Sequence, residues 1–424
     1  MGKRCPIFCF LQEEIQNMSD LLGINGNTWN NSDHTLREKE EKVNTSLFCV
    51  LLFVASTSHH PPHKPKARSF PRTTTTTAFE MGGKTTPRHR GCWPKRRETY
   101  ESHHFDSKVW DAIDVRESDI IIATAYKSGT TWMQTIVSKI LFKDGPLPNG
   151  AKSVHDLSPW IDMRLPPAPV KKEIMESQTK NRRFMKTHLP ATALNEYKGT
   201  KKIYICRDGR DAFFSLLNHW KMANEGFYEA LNKSPGLVGP EIPTYEDAAK
   251  GCGSEDEKAR LLFDKWLTIG WDSLKHETDG WPFWSLFYNV KTWWDVKDHP
   301  DVLFVHFNDL KSDLAGEMRR IAEFLEEPIE DEKLFKKLVE QCTFDYMKKN
   351  ADAVAPLGGA FWEGGGKTFI NKGTNKRWVG VLTEEQVAAY EKAAEKKLGK
   401  LCAGWLATGG KLPDADGKGN CVIM

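Results

Sequence analysis

The chain has 424 residues, 39% hydrophobic and 28% charged, with 60 Lys+Arg against 57 Asp+Glu. These values suit a soluble globular protein and exclude a polytopic membrane protein and a wholly disordered chain. A formal charge of +3 is too small to point to nucleic acid, and 15 Trp with 22 Phe can fill a large core. The nine cysteines are scattered, with no C-x₂-C pair to suggest zinc, so no metal is expected and a reducing, cytoplasmic compartment is.

Residues 1–97 read as a poorly folding extension. They contain His59-His60-Pro61-Pro62-His63 and a run from Thr73 to Thr77. Between Pro61 and Arg97, Glu80 is the only acid among ten Lys and Arg, a basic arm suited to an anionic surface or to plain solvation. The apolar run Leu47 to Ala55 would span, at about 1.5 Å per residue, under half of a ~30 Å hydrocarbon core.

From about Tyr100 the texture becomes periodic. Asp119 to Thr124 is a short β-branched run suited to a strand buried on both faces. A glycine-containing turn follows, and then Trp132, Met133, Ile136, Val137, Ile140 and Leu141 recur at helical spacing. Phe184-Met185 and Ile203 to Cys206 predict further strands, the latter followed by a helix whose face carries Ala212, Phe213, Leu216, Leu217 and Trp220. Val302 to Phe307 predicts a fourth strand, and Leu314 to Leu325 a helix. Pro235 to Gly253 and Gly358 to Gly373 read as loops, and Lys221 to Lys258 as a long loop shaping a binding site. Alternating strands and helices predict an α/β fold: one domain over 98–408 with a central parallel sheet flanked by helices, and a flexible tail over 409–424. The aromatic cluster Trp281, Phe283, Trp284 and Phe287 reads as core packing rather than pocket wall.

Three segments carry chemistry. Lys127-Ser128-Gly129-Thr130-Thr131 joins a strand to a helix start, where free N–H groups and the positive dipole end suit a phosphate. It is not a Walker A loop, since the lysine precedes Ser-Gly and no upstream glycine forms the loop, which disfavours a P-loop kinase. In Lys186-Thr187-His188-Leu189-Pro190, Lys186 and His188 sit at i and i+2 of a strand end and point the same way. A neutral imidazole can take a proton from a hydroxyl, and a lysine can stabilise developing negative charge. Arg207 and Ser215, at a strand end and along the next helix, could converge on one phosphate.

Together these segments resemble the cytosolic sulfotransferases, which use 3′-phosphoadenosine 5′-phosphosulfate (PAPS) as co-substrate and need no metal. Tyr126 to Trp132 is similar to that family's 5′-phosphosulfate loop, and Lys186 to Pro190 to its catalytic-histidine segment. Arg207 and Ser215 keep the spacing of its 3′-phosphate pair, Cys342 to Asn350 resembles its adenine-side segment, and Phe369 to Trp378 its late phosphate loop. The resemblance runs from about His103 to Leu406. It implies a P-loop-like strand–loop–helix and an enzyme sulfating a hydroxyl (or amine) of a small-molecule acceptor. His188 would be the general base, Lys127 would meet the bridging oxygen, and Lys186 would steady the transferring group. Ser128, Gly129, Thr130 and Thr131 would hold the 5′-phosphate. Trp132 and Phe344, with Cys342 and Thr343 beside them, would take adenine. Arg207, Ser215, Lys372 and Gly373 would clamp the 3′-phosphate. The chain departs from the family where Tyr126 replaces a usual Pro, Phe307 a common Tyr, and Asn371 an Arg of the late loop, for which Lys376 or Arg377 would compensate. The family's dimerisation motif is mostly missing from Val379 to Ala388, which argues against dimer formation by that route.

Cys421-Val422-Ile423-Met424 reads as a C-a-a-X box favouring farnesyl. With the basic arm it predicts peripheral membrane association of an otherwise cytoplasmic protein. Met81-Gly82-Gly83-Lys84-Thr85-Thr86 fits a myristoylation signal for a product starting at Met81. The competing reading is a catalytically weak, membrane-tethered nucleotide-binding protein, against which Lys127, Lys186 and His188 argue.

Overall fold

Four short apolar runs form one parallel sheet. The computed structural model describes residues 92–94, 97–234, 236–270 and 277–413. Most of the basic arm, the Met81 motif and Cys421 lie outside the described residues.

In chain order the elements that matter for the site are β1 (Ile120–Thr124), α1 (Thr130–Phe142), β2 (Phe184–Thr187), β3 (Lys201–Cys206), α2 (Gly209–Lys221), α3 (Glu255–Thr268), α4 (Leu286–Trp294), β4 (Val302–His306), α5 (Leu314–Phe324) and α6 (Phe344–Lys349). The sheet order is β2-β1-β3-β4, every pair parallel. Ala123 lies opposite both Thr187 and Tyr204, so the carboxyl ends of β1, β2 and β3 are level. The segments after these strands therefore emerge along one edge, where an open parallel sheet places its ligand site.

Alternation along β1 explains the layers. Ile121 and Ala123 join Met185, Tyr204, Trp266 and Trp293 on one face. Ile120 and Ile122 join Ile136, Val137, Ile203, Val305 and Ile321 on the other. A strand buried on both faces needs apolar residues at every position. Trp93 belongs to the first of these faces: its Nε1 donates to the Leu194 carbonyl at 2.9 Å and its ring meets Trp293 edge-on at 5.8 Å.

Some expectations need correction. Strand β4 stops at His306, and Phe307 opens a short helix, Phe307–Ser312, because the His306 side chain accepts from Asn308 N and caps it. The stretch read as a long loop from Lys221 to Lys258 holds a helix at Glu225–Asn232, capped by Asn224 with Phe227 and Leu231 buried, a one-turn helix at Tyr245–Ala248, and the start of α3. The glycine-rich stretch 358–373 contains a single helical turn at Gly366–Phe369.

Candidate active site

The β1–α1 turn is shaped by its own backbone. Lys127 has φ +53° and Gly129 φ +112°. A Cβ at Gly129 would lie 2.9 Å from Ile205 Cδ1 and 3.1 Å from Phe307 Cδ2, so only glycine lets the chain pass this close to β3. Tyr126, in place of the family's Pro, anchors the turn: its hydroxyl accepts from Trp266 Nε1 on α3, and its carbonyl accepts from Ser128 Oγ at 3.1 Å. Thr130 and Thr131 open α1, leaving its first N–H groups facing the loop.

His188 follows β2 directly. Its Nδ1 lies 3.0 Å from the Thr124 carbonyl and 2.9 Å from Thr124 Oγ1, which in turn lies 2.9 Å from Thr130 Oγ1. A carbonyl can only accept, so Nδ1 carries the proton and Nε2 keeps the lone pair. The backbone around the ring is fixed on both sides: His188 N donates to Asp162 Oδ2 at 3.2 Å, and Asn289 Nδ2 on α4 donates to the His188 carbonyl at 2.9 Å. Trp160 stands edge-on to the imidazole at 4.5 Å, and Lys186 Nζ lies 5.4 Å from the Trp160 ring. Lys186 and His188 thus turn to the same side, as their spacing predicts.

Arg207 is held by the late loop. Its Nε and Nη2 donate to Asn375 Oδ1 at 3.0 and 2.6 Å, its Nη2 donates to the Thr374 carbonyl at 2.8 Å, and its guanidinium lies 4.2 Å from the Phe307 ring centre. Phe307 therefore supports Arg207 through its ring face where the family commonly has a hydroxyl. Ser215 lies two turns along α2, half-buried. Of the two candidate replacement cations, Lys376 is exposed, while Arg377 turns inward and donates to the Phe214 carbonyl at 2.5 Å. Asn371 is half-buried and Lys372 exposed. Gly373, at φ +61°, lies against the Phe344 ring at the start of α6: a Cβ there would come within 2.5 Å of Phe344 Cδ2. Trp132 Nε1 donates to the Cys342 carbonyl at 2.7 Å, and its ring meets Phe307 at 5.3 Å. Thr343 caps α6.

The electrostatics suit an anionic ligand. Burial draws Lys127 down to about 7, with Arg207, Lys186 and Arg377 pushing the same way. Burial brings Lys186 to about 8 against the pull of Asp162, and Arg207 to about 10 against Asp211. His188 falls to about 3 through burial, then Lys186, so the ring is neutral at pH 7. Several cations crowded together in a sheltered site cost energy until an anion neutralises them. Among the described residues no group of His, Cys, Asp and Glu is placed to hold a metal ion.

Several residues that build the site have no signature in the sequence. Asp162 is buried and takes hydrogen bonds from Trp110 Nε1, Trp160 Nε1 and His188 N. Trp160 comes alongside because residues 159–161 pair with Lys186, through Lys186 N to the Pro159 carbonyl at 3.0 Å and Ile161 N to the Lys186 carbonyl at 3.1 Å. Trp284 is buried in the core, as expected, and its ring also lies 5.5 Å from His188 and 5.1 Å from Tyr126, so the core reaches the site here. His104 packs on Trp284 at 5.2 Å. A non-local approach leaves no local pattern; only the pairing of 159–161 beside β2 could have shown it.

The profile of the sulfotransferase domain family matches residues 117–402. The chain belongs to the sulfotransferase family. A glycolipid sulfotransferase from Mycobacterium bovis BCG is 30% identical over 307 residues, covering 69% of this chain and 89% of that protein. Mouse sulfotransferase 1B1 is 26% identical, covering 68% of this chain and 86% of its own length. Among solved structures, mouse sulfotransferase SULT7A1 complexed with PAP matches with a TM-score of 0.46 at 21% identity, over 68% of this chain and 86% of that chain. The matched region of the sulfotransferase domain contains every residue of the site from Lys127 to Trp378. Among the described residues no helix is long and apolar enough to cross a membrane.

Proposed function

We propose that this sulfotransferase moves the sulfuryl group of PAPS to a hydroxyl (or amine) of a small-molecule acceptor, with His188 as general base. The observation that carries the reading is the commitment of His188 Nδ1 to Thr124, which leaves a neutral Nε2 able to accept a proton. When bound, PAPS supplies an activated sulfuryl group. His188 Nε2 takes the acceptor's proton as the acceptor oxygen bonds to sulfur and the bond from sulfur to the bridging oxygen breaks. Lys127 neutralises the charge left on that oxygen, and Lys186 faces the transferring group from β2.

The remaining roles follow the same reading. Ser128 to Thr131 hold the 5′-phosphate on the α1 N-terminus. Trp132 and Phe344 take adenine, with Cys342 and Thr343 beside them. Arg207, Ser215, Lys372 and Gly373 hold the 3′-phosphate. Arg377, within electrostatic reach of both Lys127 and Arg207, supplies the cation that Asn371 does not. Trp160 and Trp284 border the acceptor's reacting end and favour an apolar body there. Trp284 Nε1 and His104 Nδ1, buried without a hydrogen-bond partner, offer polar contacts to a further oxygen.

The test is transfer of labelled sulfate from PAPS to a panel of phenols, aliphatic alcohols and amines. His188→Ala should lower turnover by roughly 10²–10⁴ with affinity for 3′-phosphoadenosine 5′-phosphate (PAP) nearly kept. A variant with near-normal turnover refutes the assignment.

A further inference from the structure

Lys127 does not extend freely into the site. Its Nζ lies 3.1 Å from Nδ1 of His219 and 4.8 Å from the centre of the Phe369 ring. His219 stands four residues beyond Ser215 on α2, so the two project from one helix face toward the nucleotide side. Its ring is boxed by aromatic neighbours, with Trp362 at 4.6 Å, Phe227 at 5.8 Å and Phe369 at 5.9 Å. Burial holds this imidazole well below its ordinary range, and Lys127 beside it acts in the same direction. The ring is therefore neutral, and Nδ1 can accept a hydrogen bond from the lysine ammonium.

A lysine carries four side-chain torsions, and this one starts from a left-handed backbone position. Left unrestrained it would sample many rotamers, few of them aimed at one oxygen atom. A fixed acceptor at 3.1 Å selects among them, and the aromatic box fixes the acceptor. The mutually repelling cations around Lys127 make the contact more useful, because it stabilises the ammonium where Arg207, Lys186 and Arg377 disfavour it.

We infer that His219 is a positioning residue: its Nδ1 holds the Lys127 ammonium in place for the bridging oxygen, so that the cation is ordered before the transfer begins. The inference rests on the role proposed above for Lys127. His219 touches neither the acceptor nor the sulfuryl group in this scheme and acts through the lysine alone.

Two substitutions separate hydrogen bonding from packing. His219→Phe keeps an aromatic ring in the box but removes the acceptor atom. His219→Asn places an amide oxygen near the position of Nδ1. With the full chain, PAPS and the best acceptor of the panel, His219→Phe should lower kcat by about ten- to a hundredfold, the usual loss for a hydrogen bond to a charged group. PAP binding should weaken by less than turnover falls, because the contacts of Arg207 are untouched. His219→Asn should recover most of the lost turnover. In a Lys127→Met background, His219→Phe should cost nothing further, because the lysine it positions is gone. Unchanged kcat in His219→Phe overturns the inference, as does a loss in His219→Asn equal to that in His219→Phe, or full additivity with Lys127→Met. Should His219→Phe fail to bind PAP, His219→Leu takes its place in the same comparison. Near-normal turnover in Lys127→Met alone would instead sink the role given to Lys127.

Discussion

Raising the pH should remove charge from Lys127 and weaken nucleotide binding in a window set by its environment. In the free protein burial and neighbouring cations bring this lysine to about 7. A lysine with a lowered pKa loses its proton as pH rises through that value. The charged fraction therefore falls from roughly one half at pH 7 to about one hundredth at pH 9. Lys186, at about 8, loses charge later in the same window. The phosphates of PAP, with second pKa values of about 6, are already about nine-tenths ionised at pH 7 and gain little more charge as pH rises, so they do not mask the effect. A charge-assisted contact is worth about ten- to a hundredfold, so PAP affinity should fall roughly ten- to fiftyfold between pH 7 and pH 9. Calorimetry at pH 8 in buffers of different ionisation enthalpy should show proton uptake on binding. Lys127→Met should flatten the slope, leaving the part due to Lys186. A PAP affinity constant from pH 7 to pH 9, or an unaltered slope in Lys127→Met, would refute the electrostatic account of the site.

Other predictions follow from the same geometry. Arg207→Ala should weaken PAP by about ten- to a hundredfold while leaving AMP, which lacks the 3′-phosphate, nearly unaffected; Arg377→Ala should act in the same sense but less strongly, and equal weakening of PAP and AMP would contradict both placements. Gly129→Ala forces a side chain into φ +112° and against Ile205 and Phe307, and should cost on the order of 1–3 kcal/mol in urea unfolding and lower PAP affinity; unchanged stability would contradict the turn geometry. Four histidines, His104, His155, His188 and His219, have folded-state pKa values far below the 6.5 of an unfolded chain. The unfolded state then binds the extra protons, so this stability is present above pH 6.5 and is lost as pH falls. Each buried ring should account for about 1.4 kcal/mol between pH 7.5 and pH 5.5, and equal urea midpoints at the two pH values would sink this reading.

The sequence alone determined the four sheet strands, the parallel character of the sheet and the three segments that carry chemistry. Those features are local: runs such as Ile120 to Thr124 can only be buried, and Ser128-Gly129-Thr130-Thr131 can only be a turn into a helix start. Lys186 and His188 were paired correctly because a strand end places i and i+2 on one side. Tertiary structure decided the rest. Trp160 reaches His188 through a pairing beside β2 that no periodicity signals, and Trp284, a core residue as its sequence context suggested, also closes on His188 and Tyr126. Asp162 became the hub of this region only when two distant segments brought Trp110 and His188 to its buried carboxylate, beside the neighbouring Trp160. His219 looked like an unremarkable member of a helix, and its contact with Lys127 spans 92 residues of chain. Strand and turn chemistry is written in neighbouring residues, whereas burial, proton position and the partner of a long side chain depend on which distant segments the fold packs together.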